Sequence, residues 1–350
     1  MRRGQAVGPV SPLATWFAGA GAEGRFRRCR LGRVPTVLSP RDRAWRELAP
    51  DFAGAFALAA TGSPFHTALE QRYDRSSDRR RLPRALAAGE SVYFPQAHQV
   101  LPRVARLMVA LRVAFLGGGR EETSFLFLAE GRGREALGLH HDGEVDAFWL
   151  QLEGRRFVTI GPPVPRGTPE DFLADEAAAR ALGSGPAPRG WWRGALTPGT
   201  LFHLPPRTPH RVIYRGRSLA LSLTWKRPAR GARVDPAALV DWDVVAGRAD
   251  RVPPVRRDRL WAQVPAVAGA LRAGEEAFTL HVPGGALRLP ALAHAAARRL
   301  GMMPSWRAVT AAQRAGGLGA LIEHGLLAPR DLPLRVLPED PRALDGWRFA

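Results

Sequence analysis

Three residues of this chain have the types and spacing to hold a metal ion: His140, Asp142 and His210. The first two stand in LGLHHDGEVDAFWLQLEGRRFVTIG, residues 137–161. They are two apart, so in an extended segment they point to the same side. Gly143 lets the chain turn directly after the carboxylate. His210 stands in a second stretch, LTPGTLFHLPPRTPHRVIYRGRSLALSLTW, residues 196–225, after a proline-stiffened turn. Two imidazoles and one carboxylate, with coordination positions left open, are the donor set of a mononuclear non-haem Fe(II) oxygenase.

Arg156 is the next candidate. In a regular strand 148–160 it shares a face with Phe148, Leu150, Leu152, Gly154 and Val158. A lone arginine among apolar neighbours is costly unless it meets an anion. The distal carboxylate of 2-oxoglutarate is such an anion, and a guanidinium binds it bidentately. The competing reading is that Gly154 breaks the register and exposes Arg156 beside Arg155. Ser222 and Thr224 on the return strand could face inward and contact the cosubstrate, or be packing or outer hydroxyls. His203 is read as a core or surface residue, His98 as a packing residue, and His66, His281, His294 and His324 as peripheral. Glu144 and Asp146 are read as solvated loop charges flanking the site.

These residues need strands to hold them. Strand signals occur at Ser91–Phe94, Thr123–Glu130, Phe148–Ile160, Gly190–Leu196, Thr200–Leu204, Arg211–Tyr214 and Ser218–Trp225. Short strands with frequent turn signals indicate a sandwich or barrel. The stretch Phe148–Ile160 is either a hairpin about Glu153-Gly154 or one strand bent at Gly154. Around these, Ser11–Ala18 reads as a capped helix start, Cys29–Leu38 as an edge strand interrupted by Pro35, and Arg41–Ala60 as helix. Phe65–Arg75 reads as a helical turn or two. The apolar spacing of Val100, Val104, Leu107, Met108 and Leu111 predicts an amphipathic helix over His98–Val113. Thr168 caps a predicted helix, Glu170–Leu182, followed by a Gly/Pro linker, Gly183–Gly190. Residues 235–275 read as mostly helical. Phe278–Arg288 reads as a hairpin, Ala291–Arg299 and Ala308–His324 as helices, and Leu326–Ala328 as a short extended segment.

Composition narrows the setting. The chain has 350 residues and a formal net charge of +19, nearly all of it from arginine. Such a surface attracts polyanions, although an arginine bias of composition would give the same charge with no nucleic-acid role. The densest basic run, Arg75–Arg84, has no interleaved aromatics and reads as a solvated loop or helix end. Cys29 is the only cysteine, which excludes an internal disulfide and a cysteine zinc site. No apolar run is long enough for a membrane span, and residues 1–17 lack a secretory core, so a cytoplasmic protein is expected.

The sequence HxD, then FWLQLEGRR, then PGTLFHLPPRTPH, then SLALSLTW resembles the JmjC-type cupin oxygenases, and among them the bacterial ribosomal-oxygenase group. The resemblance covers about residues 90–225 and extends loosely beyond. It implies an α+β, mainly β protein built on a double-stranded β-helix (jelly-roll) barrel. It also implies Fe(II) at His140, Asp142 and His210, 2-oxoglutarate at Arg156, and hydroxylation of a protein side chain; Ser222 joins Arg156 as a cosubstrate contact on the strand reading above. The corresponding organisation is a catalytic domain over 1–226 with N-terminal helices, a helical linker or homodimerisation region over 227–276, and a winged-helix-like domain over 277–350. One departure stands out. The family's spacing to the cosubstrate residue is one shorter than His140 to Arg156, which leaves His141 as an alternative first ligand. The acid position would then fall on Gly143, giving a two-His, halide-binding or non-catalytic cupin. The literal His-x-Asp favours His140.

The leading expectation is therefore a 2-oxoglutarate-dependent dioxygenase acting on a protein, with a ribosomal protein as one target and ribonucleoprotein contact through the basic surface. The alternatives are an oxygenase of small molecules or peptides on the same fold, and a cupin that binds without turnover.

Overall fold

A computed structural model describes residues 11–60, 63–69, 72–131, 138–169, 190–229, 232, 259–262, 264–300, 305–307 and 309–328. Its main element is a nine-stranded sheet of β1 (Thr36–Leu38), β2 (Phe65–Leu69), β3 (Arg72–Ser76), β4 (Ser91–Pro95), β5 (Glu121–Ala129), β6 (Val145–Ile160), β7 (Trp192–Leu196), β8 (Leu201–Leu204) and β9 (His210–Lys226). The order is β1-β8-β6-β9-β5-β4-β2-β3, with β7 also on β6, and every pairing is antiparallel. This is the jelly-roll arrangement expected of a cupin. Strand β6 meets β8 with its first half and β7 with its second, so it runs through both sides of the roll.

Helices cover one face of the sheet. Ser11 caps a 3-10 turn, Pro12–Thr15, by accepting the Leu13 N–H. Helices α1 (Ala20–Cys29), α2 (Phe52–Ala60), α3 (Arg81–Ala87) and α4 (Pro102–Leu111) follow. Val104, Leu107, Met108 and Leu111 of α4 are buried, as their spacing predicts. They join Phe148, Leu150, Leu152, Leu219, Leu221, Leu223 and Trp225 from the sheet in one core. Burial of this apolar area is the main force fixing the strand faces.

Residues 259–328 add two small sheets. β10 (Arg259–Ala262) lies between β14 (Ser305–Arg307) and β15 (Leu327–Ala328). β11 (Val267–Ala268), β12 (Ala277–Val282) and β13 (Gly285–Pro290) form the other, with the predicted hairpin closing at Pro283-Gly284. Helix α5 (His294–Leu300) completes a separate core of Leu260, Phe278, Leu280, Leu289, Leu321 and Leu327.

Several expectations need correction. Phe65–Arg75 is the β2–β3 hairpin, not helix, because β2 is drawn into the sheet between β3 and β4. Residues 259–275, expected helical, carry β10 and β11, since sheet partners outweigh local propensity. The two strands expected over Arg211–Trp225 are one strand, β9, with Gly216 at positive φ. The helix over Ala308–His324 breaks at Gly316-Gly317, and Ala312 faces solvent. At Gly317, φ is +109° and a Cβ would lie 2.4 Å from the Leu292 carbonyl oxygen. The edge strand near Cys29 begins only after Pro35, and Cys29 ends α1. Residues 170–182, most of 183–190 and 235–258 lie outside the described residues. Among those described, no helix is long and apolar enough to cross a membrane.

Candidate metal and anion site

The two stretches singled out from sequence meet. His140 and His210 form an isolated backbone bridge, with N–H to O distances of 3.1 and 2.8 Å. Ligand atoms of His140, Asp142 and His210 all lie within 4.8 Å of one another. His140 Nε2 is 3.5 Å from Asp142 Oδ1, and His210 Nε2 is 3.9 Å from Asp142 Oδ2.

The imidazole tautomers follow from the backbone. His140 Nδ1 is 3.2 Å from the Gly138 carbonyl oxygen, and His210 Nδ1 is 3.0 Å from that of Thr208. A carbonyl can only accept, so each Nδ1 carries the proton and each Nε2 lone pair faces Asp142. Such a partner behind the ring fixes it for metal binding. Burial, with His140 beside it, lowers the His210 pKa to about 4, which keeps that ring neutral at ordinary pH. Among the described residues no arginine pairs with Asp142. Its side chain is 34% exposed, so the carboxylate remains open to a cation.

His141, the alternative ligand, points elsewhere. Its Nε2 lies 2.9 Å from the Pro169 carbonyl oxygen, and its Nδ1 accepts the Gly143 N–H at 3.1 Å. Adjacent strand-like residues face opposite sides, so choosing His140 excludes His141 from this cluster.

The triad opens on a cavity of about 420 Å³, which Arg156 and Ser222 also line. Arg156 is 7% exposed, and among the described residues its Nε has no hydrogen-bond partner. Among the described residues no carboxylate meets it; the Phe127 ring is 5.1 Å away. Burial lowers its pKa to about 10, with nearby Tyr214 opposing, so it stays cationic.

The route by which Arg156 turns inward differs from the one expected. Phe148, Leu150 and Leu152 face the helices, whereas Trp149 faces the cavity. The β6–β9 register shifts between Gln151 and Glu153 and again between Gly154 and Arg156. This bulge reverses the parity, and Arg156, Val158 and Ile160 beyond it are buried while Arg155 and Phe157 are exposed. Gly154 is required there: its φ is +66°, and a Cβ would fall 1.8 Å from the Arg217 carbonyl oxygen. The Gln151 side chain spans the bulge, donating to the Glu153 carbonyl and to Ser218.

The other candidates separate clearly. Thr224 lines the cavity and bonds Thr123 across the strands. His203 is fully buried among Phe26 and Phe148 on the helix side. His98 is buried with Nδ1 on Ser124. His281 is half-buried and contacts Arg112. Asp146 is not a solvated loop charge: it is fully buried on Arg120 and Arg227. Glu144 pairs with Arg207 and Arg166. Sequence reasoning missed Tyr93, Phe125, Phe127 and Tyr214 in the lining. The alternation of Thr123, Phe125 and Phe127 in β5 is the signal that marks that face.

Residues 120–232 match the family model described as JmjC domain. No curated protein matches the chain. Among solved structures, YcfD, a ribosomal oxygenase from Escherichia coli, aligns at 15% identity over 87% of this chain and 97% of that one, with a TM-score of 0.49. The same protein in complex with cobalt and 2-oxoglutarate aligns at 14% identity over the same shares, with a TM-score of 0.45. A cupin superfamily protein from Desulfitobacterium hafniense aligns at 15% identity over 30% of this chain and 68% of that one, with a TM-score of 0.20.

Proposed function

We propose that this chain, which carries a JmjC-type cupin domain over residues 120–232, is an Fe(II)- and 2-oxoglutarate-dependent oxygenase. One observation carries the reading. A His-Asp-His cluster and a buried arginine with no carboxylate partner among the described residues line the same cavity. The donor set fits Fe(II): two Nε2 lone pairs converge on a carboxylate with no arginine partner among the described residues, and the cavity leaves room beside them. His140, Asp142 and His210 would hold the ion.

When bound, Fe(II) couples oxygen activation to decarboxylation of the 2-oxo acid and oxidation of a substrate C–H bond. Arg156 binds the far carboxylate of 2-oxoglutarate as a fixed cation, and Ser222 lies on the same wall. The aromatic wall of Tyr93, Phe125, Phe127 and Trp149 excludes water and strengthens that pairing. The Gly138 and Thr208 carbonyls hold the imidazole protons on Nδ1.

For the substrate we propose a protein side chain, as the JmjC resemblance implies. A ribosomal protein suits the net charge of +19, which favours partners that carry nucleic acid. A second reading, a small-molecule oxygenase, is favoured by the cavity volume of about 420 Å³, within the range of small-ligand sites. We assign catalysis to residues 1–226, a winged-helix-type unit to 277–350, and dimer formation to the stretch between, in the cytoplasm. Light scattering on the intact chain checks the dimer.

The test is anaerobic addition of Fe(II) and 2-oxoglutarate, read by the metal-to-ligand charge-transfer band. The band forms in the wild type and with His141→Ala, is lost with His210→Ala, and weakens about 100-fold in 2-oxoglutarate affinity with Arg156→Gln. Absence of the band in the wild type overturns the reading. Mass spectrometry of ribosomal proteins and of metabolites, scored for a gain of one oxygen atom, separates the two substrate classes.

A further inference from the structure

We propose that Arg207 and Glu144 are positioning residues that brace the two segments bearing the metal-binding triad. The inference rests on the reading of His140, Asp142 and His210 as ligands. Those residues come from chain segments that meet across the roll. At one end the segments are tied by the His140–His210 backbone pair. At the other end the Arg207 N–H donates to the Gly143 carbonyl at 2.7 Å, and Arg207 Nη1 to Glu144 Oε1 at 2.5 Å. Asp142 lies between the two ties. Residues 140–144 and 207–210 therefore form a closed ring, and all three ligands belong to it.

The backbone of Arg207 shows what this closure demands. Its φ is +56°, one of two positive values at non-glycine residues among those described. An L-residue there is strained, and such strain persists only where surrounding contacts over-determine it. Here they do. Besides the two bonds across the ring, Arg207 Nε donates to the Val164 carbonyl at 3.1 Å, and its own carbonyl accepts the Val164 N–H at 2.8 Å. Glycine would remove the strain but also the side chain that reaches Glu144. Glu144 in turn accepts from Arg166 at 3.3 Å, on the exposed rim.

Arg207 and Glu144 line the far side of the ligand loop and not the cavity holding Arg156. They touch no reacting group. Their effect is transmitted through Gly143 and the 207–210 turn, as groups outside the ligand set tune a metal centre.

The experiment is Co(II) titration of the intact apoprotein, followed by visible absorption, with thermal melting of each apoprotein in parallel. Arg207→Gln and Glu144→Gln each weaken Co(II) affinity about 10- to 100-fold. The double variant is no weaker than the worse single variant, because one interaction is lost in all three. Arg207→Lys, which keeps a charge near Glu144, recovers part of the affinity. Arg207→Gly relieves the φ strain, so it melts no lower than Arg207→Gln, yet binds Co(II) as weakly. Unchanged affinity in the single variants, additive losses in the double, or affinity that simply follows melting temperature overturns the proposal. His210→Ala is the control: if it still binds Co(II) as tightly as the wild type, the ligand assignment itself fails and the brace is not what was measured.

Discussion

Two aspartates four residues apart, each beside histidine, are opposite in character. Asp142 stands with His140 and His210 on a cavity, partly exposed and without an arginine partner among the described residues. Asp146, four residues on, is fully buried beside His203, with Nε2 and Oδ1 3.6 Å apart. It accepts from Arg120 at 2.7 Å and from Arg227 at 3.5 Å, and Phe26 and Phe148 pack on His203. Burial alone would raise the Asp146 pKa, but His203 and Arg120 more than offset it, so the group is held ionised. Residue types do not distinguish the two aspartates. What does is whether the carboxylate's charge is already neutralised and whether open space adjoins it.

That contrast can be broken by mutation. Asp142→Ala lowers metal affinity more than ~100-fold while leaving the apoprotein's melting nearly unchanged, as calorimetry and Co(II) titration together show. Asp146→Ala reverses the pattern. It destabilises the fold by about 3 kcal/mol in urea unfolding, because Arg120 loses its buried partner while the more exposed Arg227 is solvated, and the folded fraction still binds metal. Gly154→Ala comes next, costing roughly 2–3 kcal/mol through the positive φ and the clash with the Arg217 carbonyl. It also weakens 2-oxoglutarate binding, by moving Arg156.

A further histidine sharpens the point through pH. Burial, with Arg112 nearby, lowers the His98 pKa to about 3. A base with a depressed folded-state pKa is protonated first in the unfolded chain. Its contribution is therefore intact above pH 6.5 and is lost as pH falls from 6.5 toward 3. The slope is about 1.4 kcal/mol per pH unit, and His98→Asn removes it from the pH dependence of urea unfolding.

Much of this was legible in the chain. His-x-Asp, the proline turn before His210 and the strands β4 to β9 could be read because alternation and turn chemistry are local signals. The inward placement of Arg156 could be expected, but not from a face shared with Phe148 and Leu150: they lie on the other side, and only the bulge brings Arg156 in. The hairpin at 65–75 and strands β10 and β11 were not legible, since they depend on partners distant in sequence. The burial of Asp146 was hidden for the same reason. Its two arginines lie before β5 and after β9, and no pattern near DGEVD announces them.

Strict alternation continued from Ala147 and Trp149 would bury Arg155, Phe157 and Thr159 in place of Arg156, Val158 and Ile160. Removing one residue from the bend in β6 would bring about that exchange. The arginine doublet means that a guanidinium remains at nearly the same depth in either frame. The apolar packing of Val158 and Ile160 with Trp149, Phe202 and Leu204 has no such redundancy, since a phenyl ring and a hydroxyl would replace two branched aliphatic side chains. A single-residue deletion there therefore disturbs the packing behind Trp149 far more than the cavity's charge.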